Sequence, residues 1–313
     1  MISRRNIRVK VMQTLYSLDS IETPPVDQKP LKTLPASKIL DQHLDQTTQL
    51  FTYLIFNLGQ VALYAEKYAK VKASKHLHTE ADLRISTKIS ANHFLWQVLD
   101  EPGFRTKVER DKLHLISDEE LVKKLFLQLL ETPEYQTYVK EKSGMQEDVE
   151  ILKYIFYDIL LKSEAFEQHI EDLFIHWQDD KEMMILLMGN FFQKPSQFNF
   201  LKLISDEKVD YAQDLLKTAM DKRGYCMELI KPKLQNWDPD RIASIDMLLI
   251  IMGVCEFLYF PTIPTKVTIN EYIDLAKEYS TPQSGQFLNG ILDNILKDLL
   301  QENKIQKTDR IRK

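Results

Sequence analysis

The sequence predicts an all-α protein. Only 8 glycines occur in 313 residues, nearly every segment carries apolar residues at the helical period, and strand-like alternation bounded by turn dipeptides is absent. Residues 3–19 form the first helix. Pro24, Pro25, Pro30 and Pro35 then fall within twelve residues and read as an extended connection. From Lys38 to about Lys72 a long helix carries Leu50, Leu54, Leu58, Val61 and Ala65 at spacings of three and four. Further helices are expected at 87–99, 118–131, 147–162, 164–176, 180–192, 207–221, 223–236, 239–259, 267–279 and 282–300. Two of these stretches look alike. Ile170 to Trp177 and Ile230 to Trp237 each lead through acidic residues to an apolar run ending in Met-Gly, as a duplication or any two amphipathic helix pairs would.

Composition excludes several classes. The formal net charge is -5, so a contact with nucleic acid must be local. The glycines form neither a dinucleotide-binding fingerprint nor a phosphate-binding loop, which excludes the nucleotide-binding βαβ fold. Cys226 and Cys255 are too few for a disulfide framework, and the basic N-terminus lacks a continuous apolar segment. The longest apolar run, Met247 to Cys255, is nine residues, too short to span a bilayer. A soluble, cytoplasmic protein with no membrane partner is expected.

The first helix carries the chemistry. At 100° per residue, Ile7, Val11, Leu15 and Leu18 share one side, while Arg5, Val9, Met12 and Tyr16 lie nearly opposite. Arg4, Arg5, Arg8 and Lys10 precede any acidic residue. Arginine forks bind phosphate oxygens and a tyrosine face can stack on a base, so this face suits single-stranded RNA. The plainer alternative is a solvated helix end with Tyr16 covering a second buried seam. Lys304 to Lys313 reads as a flexible basic arm, of use for unspecific phosphate contacts or only for solubility.

Other clusters are set aside. Lys75-His76-Leu77-His78 lacks a third metal ligand, and His169 and His176, seven apart, complete no ligand pattern. Asp179-Asp180 and Asp238-Pro239-Asp240 look like helix starts. Neither cysteine has the neighbours of a nucleophile. No catalytic residue, metal or cofactor is expected.

Pro264-Thr-Lys-Val-Thr-Ile-Asn-Glu-Tyr-Ile-Asp-Leu-Ala-Lys277 resembles the signature helix of the NusB family of transcription antitermination factors. Tyr279-Ser-Thr-Pro-Gln-Ser284 and Phe287-Leu-Asn-Gly-Ile-Leu-Asp293 resemble its closing helix. There Thr281 is expected as the cap, Pro282 as the first residue, and Gly290 as a point of close helix approach. Ser3-Arg-Arg-Asn-Ile-Arg-Val-Lys-Val-Met-Gln-Thr-Leu-Tyr16 is similar to the family's arginine-rich first helix. Asp210 to Lys217 and Asp240 to Phe257, with Glu256, resemble its second and central helices.

The resemblance implies stacked helical bundles: a NusB-like core of residues 1–20 and 207–300, interrupted by an inserted or duplicated helical region, 21–206, and followed by a basic tail, 301–313. It also implies a non-enzymatic factor that binds boxA-type RNA of ribosomal RNA leaders together with NusE, within the RNA polymerase antitermination complex. By motif match Arg4, Arg5 and Arg8 would hold phosphates, Tyr16 would sit at the edge and Phe287 would stack on a base, with Lys10 a weaker candidate. The chain departs from the family in its long interruption, in Ile251 where an arginine is usual, and in Gln283 where an acid is frequent. A helical protein-binding scaffold and an accessory of RNA modification are the alternative readings.

Overall fold

The computed structural model describes residues 2–22, 34–74, 79, 85–142, 144–234 and 242–308. The described residues form helices and no strand. Two compact units emerge, one of residues 45–203 and one of residues 2–44 with 204–313, so the chain leaves the second unit at 44, inside a helix, rather than after residue 20. Pro24, Pro25, Pro30, Lys75 to His78 and Asp238 to Asp240 lie outside the described residues.

In the second unit α1 spans Arg4–Glu22 and α2 spans Ala36–Ala73, of which only the first turns belong here. After α2 leaves, the unit resumes with α11 (Asp206–Asp221), α12 (Arg223–Ile230), α13 (Ser244–Tyr259), α14 (Thr265–Tyr279) and α15 (Ser284–Gln301). The centre is α13. Every residue from Leu248 to Phe257 is buried, which explains an apolar run with no polar face. A Cβ at Gly253 would sit 3.0 Å from Leu292 Cδ2 and 3.4 Å from Tyr272 Cδ2, so glycine allows α14 and α15 to approach α13.

Gly290, by contrast, faces open space and permits no such approach. The start of α15 also differs from expectation. It begins at Ser284, and Thr281 and Pro282 lie in the preceding turn. Ser284 Oγ accepts from the Thr281 N–H at 3.2 Å and donates to the buried Asp246 at 2.6 Å, so the sequence signal for a cap marks a tie between α15 and α13.

The first unit holds the rest of α2, α3 (His93–Leu99), α4 (Pro102–Arg110), α5 (Leu113–Ile116), α6 (Glu119–Leu130), α7 (Pro133–Lys140), α8 (Met145–Tyr154), α9 (Glu164–Leu173) and α10 (Trp177–Gln193). Leu50, Leu54, Leu58, Val61 and Ala65 are all buried along α2. Phe51 stacks on Phe198 with centroids 5.4 Å apart and meets Phe191 edge-on at 5.9 Å. The segment expected as one helix over 147–162 changes pitch. A π-helical turn, Ile155–Leu160, follows α8, with Leu161 N–H donating to Phe156 O at 3.1 Å. The wider turn buries Ile155, Phe156, Ile159 and Leu160 together.

Candidate nucleic-acid interface

The amino-terminal helix docks on the carboxyl-terminal helices. Its anchor is Arg8, only 2% exposed, whose Nε donates to Glu256 Oε1 at 2.7 Å and whose Nη2 donates to Glu256 Oε2 at 3.2 Å. Glu256 is fully buried and also accepts from Tyr211 OH at 2.5 Å, Tyr272 OH at 2.9 Å and Thr268 Oγ1 at 2.8 Å. Arg8 Nη1 reaches Glu271 at 3.2 Å, and its guanidinium lies 5.8 and 5.7 Å from the Tyr211 and Tyr272 ring centres. One carboxylate thus takes five hydrogen bonds from α1, α11 and α14 while sitting on α13.

Burial alone would lower the pKa of Arg8, but the charge and hydrogen bonds of Glu256 outweigh it and raise it. Burial first, and the Glu256 charge second, push the hydroxyls of Tyr211 and Tyr272 well above the ordinary phenol range. Arg8 is therefore a fixed cation inside the core, and its expected role as a phosphate ligand is corrected. A guanidinium so enclosed cannot reach a strand in solvent.

The other candidates divide. Lys10 is 2% exposed and Phe287 is 6% exposed, so neither is a surface cation or a stacking platform; both positions are core. Val9 and Met12 are buried as well, which makes the middle of the expected RNA face a second packing seam. What remains open lies at its ends. Arg4 and Arg5 are 30% and 35% exposed, and Tyr16 is 45% exposed. Arg5 and Tyr16 share a helix face but stand about 16 Å apart along α1. Arg4 pairs with Glu207 and lies 5.6 Å from the Tyr211 ring centre. Arg5 Nη2 meets Glu278 at 2.7 Å, with Asp274 at 3.8 Å.

The expected flexible arm is tethered over its first residues. Asn303 takes a positive φ of 53° and ends α15; Lys307 Nζ then donates to the carbonyls of Glu256 at 2.7 Å and Phe260 at 2.9 Å. An ammonium there meets the negative end of α13. Residues 309–313, with Arg310, Arg312 and Lys313, lie outside the described residues.

Sequence reasoning placed Glu256 on its helix but missed its partners. The available signal was a single acid closing an apolar run, a pattern that demands a buried cation without naming it. Of the histidines considered, the half-buried His169 has its Nε2 2.6 Å from the OH of the buried Tyr53. Among the described residues no group of three His, Cys, Asp or Glu is placed to hold a metal ion.

Fold and site together define an all-helical core that both ends of the chain build around one arginine–carboxylate hub. Comparison with known proteins gives it a family. The NusB family model matches residues 187–297. A Salinibacter ruber protein named transcription antitermination protein NusB is 41% identical over 101 residues, 32% of this chain and 63% of its own length. Relatives of the same name from Methylacidiphilum infernorum and Listeria monocytogenes are 45% identical over 83 residues and 37% over 93, covering 26% and 30% of this chain and 58% and 73% of their own lengths. The chain belongs to the NusB family. Its matched stretch spans less than two thirds of the length of the first two of these relatives.

Proposed function

We propose that this chain is a non-enzymatic factor of transcription antitermination that binds boxA-type RNA together with NusE in support of ribosomal RNA synthesis. The observation that carries this reading is the docking of α1, through Arg8 and Glu256, onto the helices that match the family. It leaves Arg4, Arg5 and Tyr16 as the working residues at the rim. Their ion pairs with Glu207 and Glu278 are exposed, and such pairs contribute only ~0–1 kcal/mol, so exchange of a carboxylate for a phosphate costs little. Tyr16 supplies a face for one base. Arg8 holds the helix in place.

The test is fluorescence anisotropy with a labelled boxA-type RNA over a range of salt. Arg4→Ala with Arg5→Ala should weaken binding and reduce the salt slope by about 1.4, roughly 0.7 for each lost phosphate. Tyr16→Ala should remove a stacking contact of ~1–3 kcal/mol. Unchanged affinity and slope in the double variant would remove α1 from the RNA site. A scaffold without an RNA role is the second reading, favoured by the carboxylates of Glu207, Asp274 and Glu278 beside the open arginines. Retained NusE binding with no RNA binding at physiological salt would establish it.

A further inference from the structure

The unit of residues 45–203 contains a groove of about 520 Å³ between α7, α8 and the π-helical turn, a size within the roughly 300–1,000 Å³ of ligand pockets. Its floor is largely apolar, made by Tyr138, Ile151, Tyr154 and Tyr157. Its rim carries five carboxylates, Glu134, Glu141, Glu147, Glu150 and Asp158, against three lysines: Lys153 pairs with Glu150 at 2.7 Å, Lys162 pairs with Asp158 at 2.5 Å, and Lys88 lies beside Glu147, so the acids remain in excess. We propose that this groove binds an arginine-bearing peptide segment of a partner protein.

Three observations choose that occupant. The first is charge: an excess of carboxylates around a concave aromatic floor favours a cation and repels RNA. The second is shape. No three of these carboxylates converge as metal ligands would, whereas a long side chain with an apolar stem and a planar cationic head matches tyrosine faces ringed by acids. The third is an internal example of the same chemistry at the groove's edge. Lys88 Nζ lies 4.4 Å from the Tyr138 ring centre and donates to Glu141 O at 2.5 Å, so the site already holds one ammonium against one of its rings. The π-helical turn adds a local feature that recurs at functional sites, bringing Tyr157 and Asp158 in succession to one wall.

The groove stands apart from the RNA reading, and its test is independent of RNA. The full chain is titrated at 150 mM salt against a fluorescein-labelled peptide bearing two arginines, and against the same peptide with citrulline, which keeps shape and loses charge. Citrulline should bind at least tenfold more weakly. Tyr154→Ala with Tyr157→Ala, and separately Glu150→Gln with Asp158→Asn, should each weaken the arginine peptide at least tenfold with circular dichroism unchanged. Should the tyrosine pair unfold the chain, the charge pair decides. Asp172→Asn with Glu182→Gln, exposed acids outside the groove, should leave binding intact. Equal weakening by those outside variants, equal binding of citrulline, or no binding at millimolar peptide would overturn the proposal.

Discussion

Removing the Arg8 guanidinium is the most informative perturbation of this protein. In Arg8→Ala the Glu256 carboxylate stays fully buried on α13 and keeps only the three hydroxyls of Tyr211, Tyr272 and Thr268. Breaking a buried pair by deleting one partner costs about 3–5 kcal/mol, because the remaining charge has no counterion. The loss should fall on α13, so backbone amides from Leu248 to Phe257 should exchange roughly 150- to 5,000-fold faster by hydrogen-exchange mass spectrometry. Arg223→Ala sets the scale for an exposed pair. Arg223 donates to both Asp19 oxygens at 2.7 Å but is 42% exposed, and its loss should cost no more than ~1 kcal/mol. Arg8→Met combined with Glu256→Gln should recover most of the loss, since glutamine still accepts from the hydroxyls and no bare charge remains. The double-mutant cycle should return a coupling of at least about 2 kcal/mol, because each single variant leaves a bare buried charge that the double variant lacks. Exchange accelerated less than about fivefold in Arg8→Ala, or strict additivity in the cycle, would refute the hub. Arg8→Glu, which would place two carboxylates together in the core, should not fold and is useless as an RNA-binding probe.

Burial pushes the hydroxyls of Tyr53 and Tyr135 up to about 12, from an ordinary value of 10.0. A raised pKa gives stability that is whole below pH 10 and lost as pH rises toward 12, because the unfolded chain ionises first. Absorbance at 295 nm should show at least four tyrosines resisting ionisation, Tyr53 and Tyr135 together with the core residues Tyr211 and Tyr272, with the unit of residues 45–203 losing stability across that window; free titration of Tyr53 and Tyr135 near pH 10 in a folded chain would contradict this. Gly290 on α15 and Gly253 on α13 should respond oppositely to alanine. Gly290→Ala meets open space and should stabilise by up to ~1 kcal/mol through helix propensity. Gly253→Ala places a methyl 3.0 Å from Leu292 and should destabilise, since overpacking of ~1–3 kcal/mol outweighs the same gain; equal melting shifts for both would be the wrong outcome.

Helix existence was legible because an apolar stripe at the helical period is a local property. The residues expected along α2 are buried, and α6, α11 and α14 begin within two residues of their expected starts. The misses were local as well. No helix was expected at 102–110 or 133–140, yet Pro102 and Pro133 open α4 and α7 there behind caps from Glu101 and Thr132, since proline fits a first turn whose N–H needs no partner. The candidate site was half legible. Arg4, Arg5 and Tyr16 stand at the surface, whereas Arg8, Lys10 and Phe287 do not.

The sequence by itself determined that this chain is helical, which stripe of each helix is apolar, and which family its ends resemble, because each depends on neighbours a few positions away. The tertiary structure alone decided which arginine is a ligand for protein and which faces solvent. Arg8 and Glu256 are separated by 248 residues, and no periodicity states that they meet. A buried charge is tolerated only beside its opposite, so that long-range pairing, more than the count of arginines, fixes what the first helix can offer to RNA.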